Sequence, residues 1–159
     1  MAYNVFISYS TKDLTLVQQV QRALHSPPAV EVFVAEYSVP PGQPLPTPIV
    51  DAVKQCDVYV LVWSRESQVS PWVHEEIGMA RGLGKPIIPL VLEDGLALPD
   101  LISELKYLPL YRAPQQYLAW LQQHVFQRAA DQQAGAAVGL LILGGLLVAA
   151  FISGTGKGK

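Results

Sequence analysis

The chain has 159 residues, half of them hydrophobic and only 15% charged, with a formal net charge of −2 at pH 7. This length suits one domain with an appendage, and the near-neutral charge offers no electrostatic basis for binding nucleic acid. The single cysteine, Cys56, excludes a disulfide within the chain and fits a reducing compartment.

Short runs of apolar residues alternate along the chain with segments of helical periodicity. In chain order, strands are predicted over residues 4–9, 30–35, 57–64, 85–92 and a short stretch near 107–111. Helices are predicted after residues 10–13, over 49–56, over 71–83 and over 114–133. The helix over 71–83 is predicted to begin with Ser70 as its N-cap and Pro71 at its first position. Continuously apolar strands that alternate with helices predict a doubly wound α/β domain, in which helices cover both faces of a parallel sheet.

The C-terminal segment 134–153 contains no charged residue, and as a helix it would extend about 30 Å, the thickness of a bilayer core. We therefore predict a soluble domain over 1–130, a transmembrane helix over 134–153 and a short basic tail over 154–159. A buried hairpin or core helix is the alternative, because glycines make the segment only moderately hydrophobic. The N-terminus does not resemble a signal peptide, which predicts a single-pass C-terminal anchor with the domain in the cytoplasm.

The loops at one edge of the predicted sheet are the expected place for a ligand. In doubly wound sheets, ligands bind outside the carboxyl ends of the strands. Here those loops are residues 9–12, 36–48 and 64–71, and we expect them to share one edge.

Two adjacent glutamates lie near the start of the helix predicted over 71–83. At about 100° per residue, Glu75 points away from the buried face centred on Val73, whereas Glu76 lies on the flank of that face beside Trp72. A half-buried carboxylate against an indole is typical of a functional site. Helix geometry alone leaves a structural role for Glu76 equally open.

Three stretches, VFISYSTKD, VFVAEYSVPPG and SRESQVSPWVHEEIGMARGLGKPIIPL, resemble the Toll/interleukin receptor (TIR) domain over residues 3–127. The most specific element is the pattern S-x-W-x-x-x-E-[IL], which is formed by Ser70, Trp72, Glu76 and Ile77. The resemblance implies a flavodoxin-like fold. It also implies one of two functions, since some TIR domains are scaffolds that recruit other TIR domains and others cleave NAD⁺ at the nicotinamide–ribose bond.

The resemblance also implies which residues form the site. In the enzymatic members one glutamate is essential, and its motif position falls on Glu76, with Trp72 lining the pocket. Residues 36–48 correspond to the BB loop, which gates the site and mediates contacts between domains, and Gly42 matches its turn glycine. The other implied substrate-binding residues are Ser8, Tyr9, Ser10, Ser64 and Ser67. NAD⁺ is the expected substrate, and neither a cofactor nor a metal is expected.

The sequence thus predicts a membrane-anchored NAD⁺ hydrolase, with either linear or cyclic ADP-ribose as its product, that is activated by assembly in defence or cell-death signalling. Its predicted partners are NAD⁺, TIR domains bound through residues 36–48, and membrane lipid bound through residues 134–153. A non-enzymatic membrane-anchored adaptor is the alternative. A second alternative is a tail that permeabilises membranes, which only the small-residue spacing of Gly135 and Gly139 favours.

Overall fold

The structure, a computed structural model, describes the backbone of residues 1–35 and 42–155 and the side chains of residues 1–35 and 42–136. Within this part of the chain, five strands form a parallel sheet in the order β2-β1-β3-β4-β5. Strands β1 to β5 are Tyr3–Ser8, Val30–Val34, Val58–Trp63, Ile87–Val91 and Leu108–Pro109. Helices α1 to α5 are Leu14–Leu24, Thr47–Gln55, Arg65–Gln68, Pro71–Gly82 and Pro114–Thr155.

The predicted doubly wound α/β architecture is confirmed, with differences at the ends of elements. Most strands are one to three residues shorter than predicted, and the fifth is reduced to Leu108–Pro109. The four-residue helix α3 was not predicted and lies inside the expected loop 64–71. Helix α5 is one continuous helix that covers both the helix predicted over 114–133 and the helical segment predicted over 134–153.

Side chains along the strands alternate between two cores, one on each face of the sheet. On one face, Val5 and Ile7 pack with α1 and α5 through residues such as Leu121. On the other face, Phe6 packs with α2 and α4 through residues such as Ile77. Because helices cover both faces, every residue of the central strand β3 is buried, which explains its unbroken apolar sequence.

Helix α5 holds the C-terminal part of the chain to the domain. Its first turns pack on the sheet through Leu121, Val125 and Ala129. Among the residues that the structure describes, no helix is both long enough and apolar enough to cross a membrane. The predicted transmembrane helix at 134–153 gains no support here, and it stays a prediction because most of that segment and the tail 154–159 lie outside the described side chains.

Candidate functional site

The start of α4 is fixed by local sequence, as predicted. Ser70 is the N-cap, and its Oγ accepts a hydrogen bond from the backbone N–H of Val73. Pro71 occupies the first helical position, where its missing N–H leaves no bond unmade. The helix then packs over the sheet through Val73 and Ile77, and this packing carries Glu76 to the sheet as well.

Glu76 is completely buried, whereas its neighbour Glu75 is exposed. The exposure of Glu75 confirms the prediction from helix geometry, but the half-burial predicted for Glu76 is wrong. The carboxylate is covered because the end of β1 lies against it: Ser8 donates a hydrogen bond from Oγ to Glu76 Oε2 over 2.5 Å. This bond joins the end of β1 to α4 and gives one oxygen of the buried carboxylate a hydrogen-bond donor.

Tyr59 on β3 places a third polar side chain near this pair. It is fully buried, and burial together with the charge of Glu76 raises its pKa well above the ordinary value of 10.0, while the Ser8 hydroxyl lowers it. The phenol is therefore close to both groups, although its oxygen forms no hydrogen bond of full geometry among the described residues. Tyr59 is not among the predicted site residues, because nothing in the unbroken apolar sequence of β3 marks it. The register of β1 and β3 pairs Phe6 with Tyr59 and so sets the tyrosine on the face that Ser8 shares.

A cavity of about 590 Å³ opens at the start of α4. The residues that line it are Gly42, Gln43, Pro44, Pro71, Trp72 and Glu75. Gly42 has a φ of 85°, a left-handed conformation that glycine adopts readily, as expected of a turn glycine. The structure thus brings together the predicted residues Gly42 and Trp72, with Glu75 beside them, at a volume typical of small-molecule sites. Residues 36–41 of the predicted BB loop lie outside the described residues.

The described lining of this cavity carries negative and no positive charge. Glu75 is its charged member. Lys12, the first basic residue after β1, forms a salt bridge with Glu66 over 3.2 Å, and both side chains are largely exposed. The described part of the cavity therefore offers no cation to a phosphate group.

A second polar cluster joins the loops that follow β1 and β3. Ser64 and Ser67 are buried and cap α3 reciprocally, each side chain bonding the backbone of the other. Ser64 also donates a hydrogen bond to Asp13 Oδ2 over 2.5 Å. Ser10 caps the 3-10 turn Thr11–Asp13. Through these bonds the three serines stabilise the loops at the carboxyl edge of the sheet. The substrate contacts expected of them stay predictions.

The surroundings of Asp13 in this cluster disfavour its charged form. Partial burial raises the pKa of Asp13 above its ordinary value of 3.8. The hydrogen bond from Ser64 lowers that pKa, and the nearby carboxylates of Glu66 and Glu93 raise it. Neutralisation of Asp13 is therefore easier in the folded protein than in an unfolded chain.

Tyr9 is set apart from the buried glutamate. It is 2% exposed and belongs to the core between the sheet and helices α1 and α5, whereas Glu76 faces the opposite side of the sheet. The alternation of β1 explains this, since successive side chains of a strand point to opposite faces. The structure therefore groups Ser8, and not Tyr9, with Glu76, and a substrate contact of Tyr9 stays a prediction.

Comparisons with known proteins agree with this architecture. A family model described as TIR domain matches residues 5–125. The chain is 39% identical over 85 residues to the NAD(+) hydrolase ApTIR of Actinoplanes sp., a match that covers 48% of this chain and 12% of that protein. The chain therefore spans only a small part of the length of this relative.

Solved structures with the same fold include two of similar size. The TIR domain of the Toll-related receptor TRR-2 from Hydra magnipapillata superposes with a TM-score of 0.58 at 22% identity, over 81% of this chain and 99% of that one. The CMP N-glycosidase BcmB of Clostridium botulinum superposes with a TM-score of 0.55 at 26% identity, over 76% of this chain and 98% of that one. These likenesses confirm the predicted fold.

Proposed function

Because the chain belongs to the TIR domain family, we propose that it hydrolyses NAD⁺ at the nicotinamide–ribose bond, with Glu76 as its catalytic carboxylate. The observation that carries this proposal is the buried bond between Ser8 and Glu76 at the carboxyl edge of the sheet, one helical turn from Trp72 and the cavity. Similarity to a protein named as an NAD(+) hydrolase supports NAD⁺ as the substrate. A structural neighbour named as a CMP N-glycosidase supports cleavage of an N-glycosidic bond on this fold.

Cleavage of the nicotinamide–ribose bond needs a carboxylate and few other protein groups. The bond between ribose C1′ and the pyridinium nitrogen breaks, and its electron pair moves to the nitrogen, so nicotinamide leaves as a neutral molecule without a general acid. Water then adds to C1′ and loses a proton, which gives ADP-ribose; attack by an adenine nitrogen instead gives the cyclic product. The transition state has oxocarbenium character, and a carboxylate stabilises this positive charge and accepts hydrogen bonds from the ribose hydroxyls.

The complete burial of Glu76 supports a requirement for activation. A substrate can touch this carboxylate only after the residues that cover it rearrange. We propose that self-association through residues 36–48 drives this rearrangement, and that anchoring through residues 134–153 raises the local concentration that assembly needs. The same scheme places the domain at the cytoplasmic side of a membrane, in defence or cell-death signalling.

A non-enzymatic adaptor is the second candidate. The observation in its favour is that the described residues of the cavity include a carboxylate, Glu75, and no cation for the NAD⁺ pyrophosphate. In this case the domain would pair with other TIR domains at a membrane, and its binding would be indifferent to the carboxylate of Glu76.

Release of nicotinamide from NAD⁺ tests the proposal. The full chain is reconstituted in liposomes over a series of densities, and released nicotinamide is measured by chromatography. We expect the rate of nicotinamide release per protein molecule to rise steeply with the density of protein in the liposomes. The Glu76→Ala variant should release nicotinamide at least about a hundredfold more slowly, which is the effect of removing one electrostatic catalytic group in other enzymes.

The same assay separates the two candidates. Folded protein that releases no nicotinamide at any density, and that binds a partner TIR domain equally well with and without the Glu76 carboxylate, would contradict the enzyme and favour the adaptor. Equal turnover in wild type and Glu76→Ala would remove Glu76 from the mechanism.

A further inference from the structure

The buried hydroxyl of Tyr59 has no role in packing. Tyr59 lies in the middle of the sheet and is 0% exposed, and its oxygen forms no full hydrogen bond among the described residues. A buried hydroxyl without a partner has given up its hydrogen bonds to water without replacement, and phenylalanine would fill the same space without this cost. The aromatic ring itself is well accommodated, since it stacks on Phe6 with centroids 5.5 Å apart.

The position of Tyr59 directs that hydroxyl to the end of β1. Strand register pairs Phe6 with Tyr59, and Ser8 follows two residues later on the same face. The influence of Ser8 and Glu76 on the pKa of Tyr59 agrees with this proximity. Among the residues that the structure describes, Cys56 in the same core is the other ionisable group that acts on the phenol besides Glu76.

The hydrogen bonds that Ser8 can still form allow the Tyr59 phenol to act as a donor to Ser8. Ser8 has a single hydroxyl proton, which it donates to Glu76 Oε2. Its oxygen still has lone pairs to accept a bond, and Tyr59 supplies a donor beside it. A phenol that donates to Ser8 polarises the serine hydroxyl and so strengthens the bond from Ser8 to the carboxylate.

We propose that Tyr59 is a positioning residue that acts on Glu76 through Ser8, in a chain running from Tyr59 Oη–H to Ser8 Oγ–H to Glu76 Oε2. The first bond of this chain tightens when the substrate binds, as catalytic hydrogen bonds that are poorly aligned in free enzymes commonly do. This inference rests on the proposed function, because it gives Tyr59 its purpose in holding the catalytic carboxylate.

The test is Tyr59→Phe, with Tyr3→Phe as the matched control. Tyr3 is buried on the same sheet at the opposite end of β1, and the same single oxygen is removed. In the full chain, we expect Tyr59→Phe to lower kcat for nicotinamide release about three- to tenfold with KM changed less than twofold. We also expect it to shift the ¹³C signal of the Glu76 carboxyl at fixed pH, and Tyr3→Phe to change neither.

A double-mutant cycle shows whether Tyr59 acts through Ser8. On a Ser8→Ala background, Tyr59→Phe should have no further effect on kcat or on the carboxyl signal. Full additivity of the two substitutions would overturn the proposal, as would an unmoved carboxyl signal or a Tyr59→Phe variant that fails to fold.

The readouts keep this inference distinct from the function on which it rests. If the wild type releases no nicotinamide, the proposed activity fails, and the carboxyl signal still decides whether Tyr59 acts on Glu76. If the wild type is active and Tyr59→Phe behaves like Tyr3→Phe in both readouts, the activity stands and Tyr59 has no part in it.

Discussion

At the scale of single residues, two neighbouring glutamates on α4 have opposite surroundings. Glu76 is buried against the sheet and accepts a hydrogen bond from Ser8, while Glu75 lines the open cavity. The helical period of 3.6 residues suffices to turn consecutive side chains to different environments. In the proposed function the buried glutamate acts on charge that develops at the substrate, and the exposed one gives the described cavity its negative charge.

The position of Glu75 predicts an effect on substrate binding. NAD⁺ carries a negative pyrophosphate, and Glu75 places a like charge in the cavity without a described cation to offset it. We expect Glu75→Gln to lower KM for NAD⁺ about two- to fivefold, with a smaller effect at high salt because exposed charges are screened.

Steady-state kinetics at two ionic strengths measure this effect. Glu31→Gln is the control, since it removes an exposed carboxylate from β2, away from the cavity. An unchanged or raised KM in Glu75→Gln would mean that the pyrophosphate does not pass this side chain.

Residue-level prediction succeeded where the determinant was local and failed where it was tertiary. Helix geometry separated Glu75 from Glu76, because only positions on one helix were compared. It did not give the full burial of Glu76, since the angle of a residue on a helix does not tell how closely the end of β1 approaches it. Tyr59 escaped notice because a strand that is apolar throughout does not show which of its side chains end beside a polar group.

At the scale of elements, the loops after β1 and β3 are joined by the hydrogen bond from Ser64 to Asp13. The sequence shows the start of α4 in Ser70 and Pro71, and this prediction is confirmed, since capping depends on neighbouring residues only. Helix α3 could not be predicted in the same way. It is a single turn created by the reciprocal capping of Ser64 and Ser67, and it has no apolar period to reveal it.

The raised pKa of Asp13 predicts a pH-dependent effect on stability. The folded state binds a proton at Asp13 more readily than the unfolded state, so this group lowers stability as pH rises from about 3.8 through its folded pKa. We expect Asp13→Asn, which can still accept the bond from Ser64, to be more stable than wild type at neutral pH by about 1 kcal/mol or less.

Urea unfolding between pH 3 and pH 7 measures this difference. The gain from Asp13→Asn should be smallest below pH 3.8, where the carboxyl is protonated in both states, and should grow with pH. Asp51→Asn, an exposed carboxyl on α2, is the control. A gain in stability that does not vary with pH would contradict the electrostatic cause.

At the scale of the whole molecule, one helix links the TIR domain to the C-terminal segment. Helix α5 packs on the sheet through Leu121, Val125 and Ala129 and then continues to Thr155. Hydropathy and period predicted a soluble domain followed by an apolar segment. Hydropathy does not distinguish a segment that enters a bilayer from one that packs against protein, because apolar side chains are stabilised in both environments.

Removal of residues 134–159 separates the domain from its proposed anchor. The described core contacts of α5 end before Gln133, so we expect the shortened chain to melt within about 2 °C of the full chain. We expect the full chain to float with lipid vesicles on a density gradient and the shortened chain to stay at the bottom. Flotation of neither chain, from samples that are folded, would contradict the membrane anchor.

A comparison of the two glutamates in one assay tests whether Glu76 is the catalytic carboxylate. Nicotinamide release at saturating NAD⁺ is measured for wild type, Glu76→Gln and Glu75→Gln in the same liposomes at the same density. We expect Glu76→Gln to lower kcat at least about a hundredfold and Glu75→Gln to keep a kcat within about threefold of wild type. A kcat for Glu76→Gln within about threefold of wild type would show that the buried carboxylate is structural and that the catalytic role assigned to Glu76 is wrong.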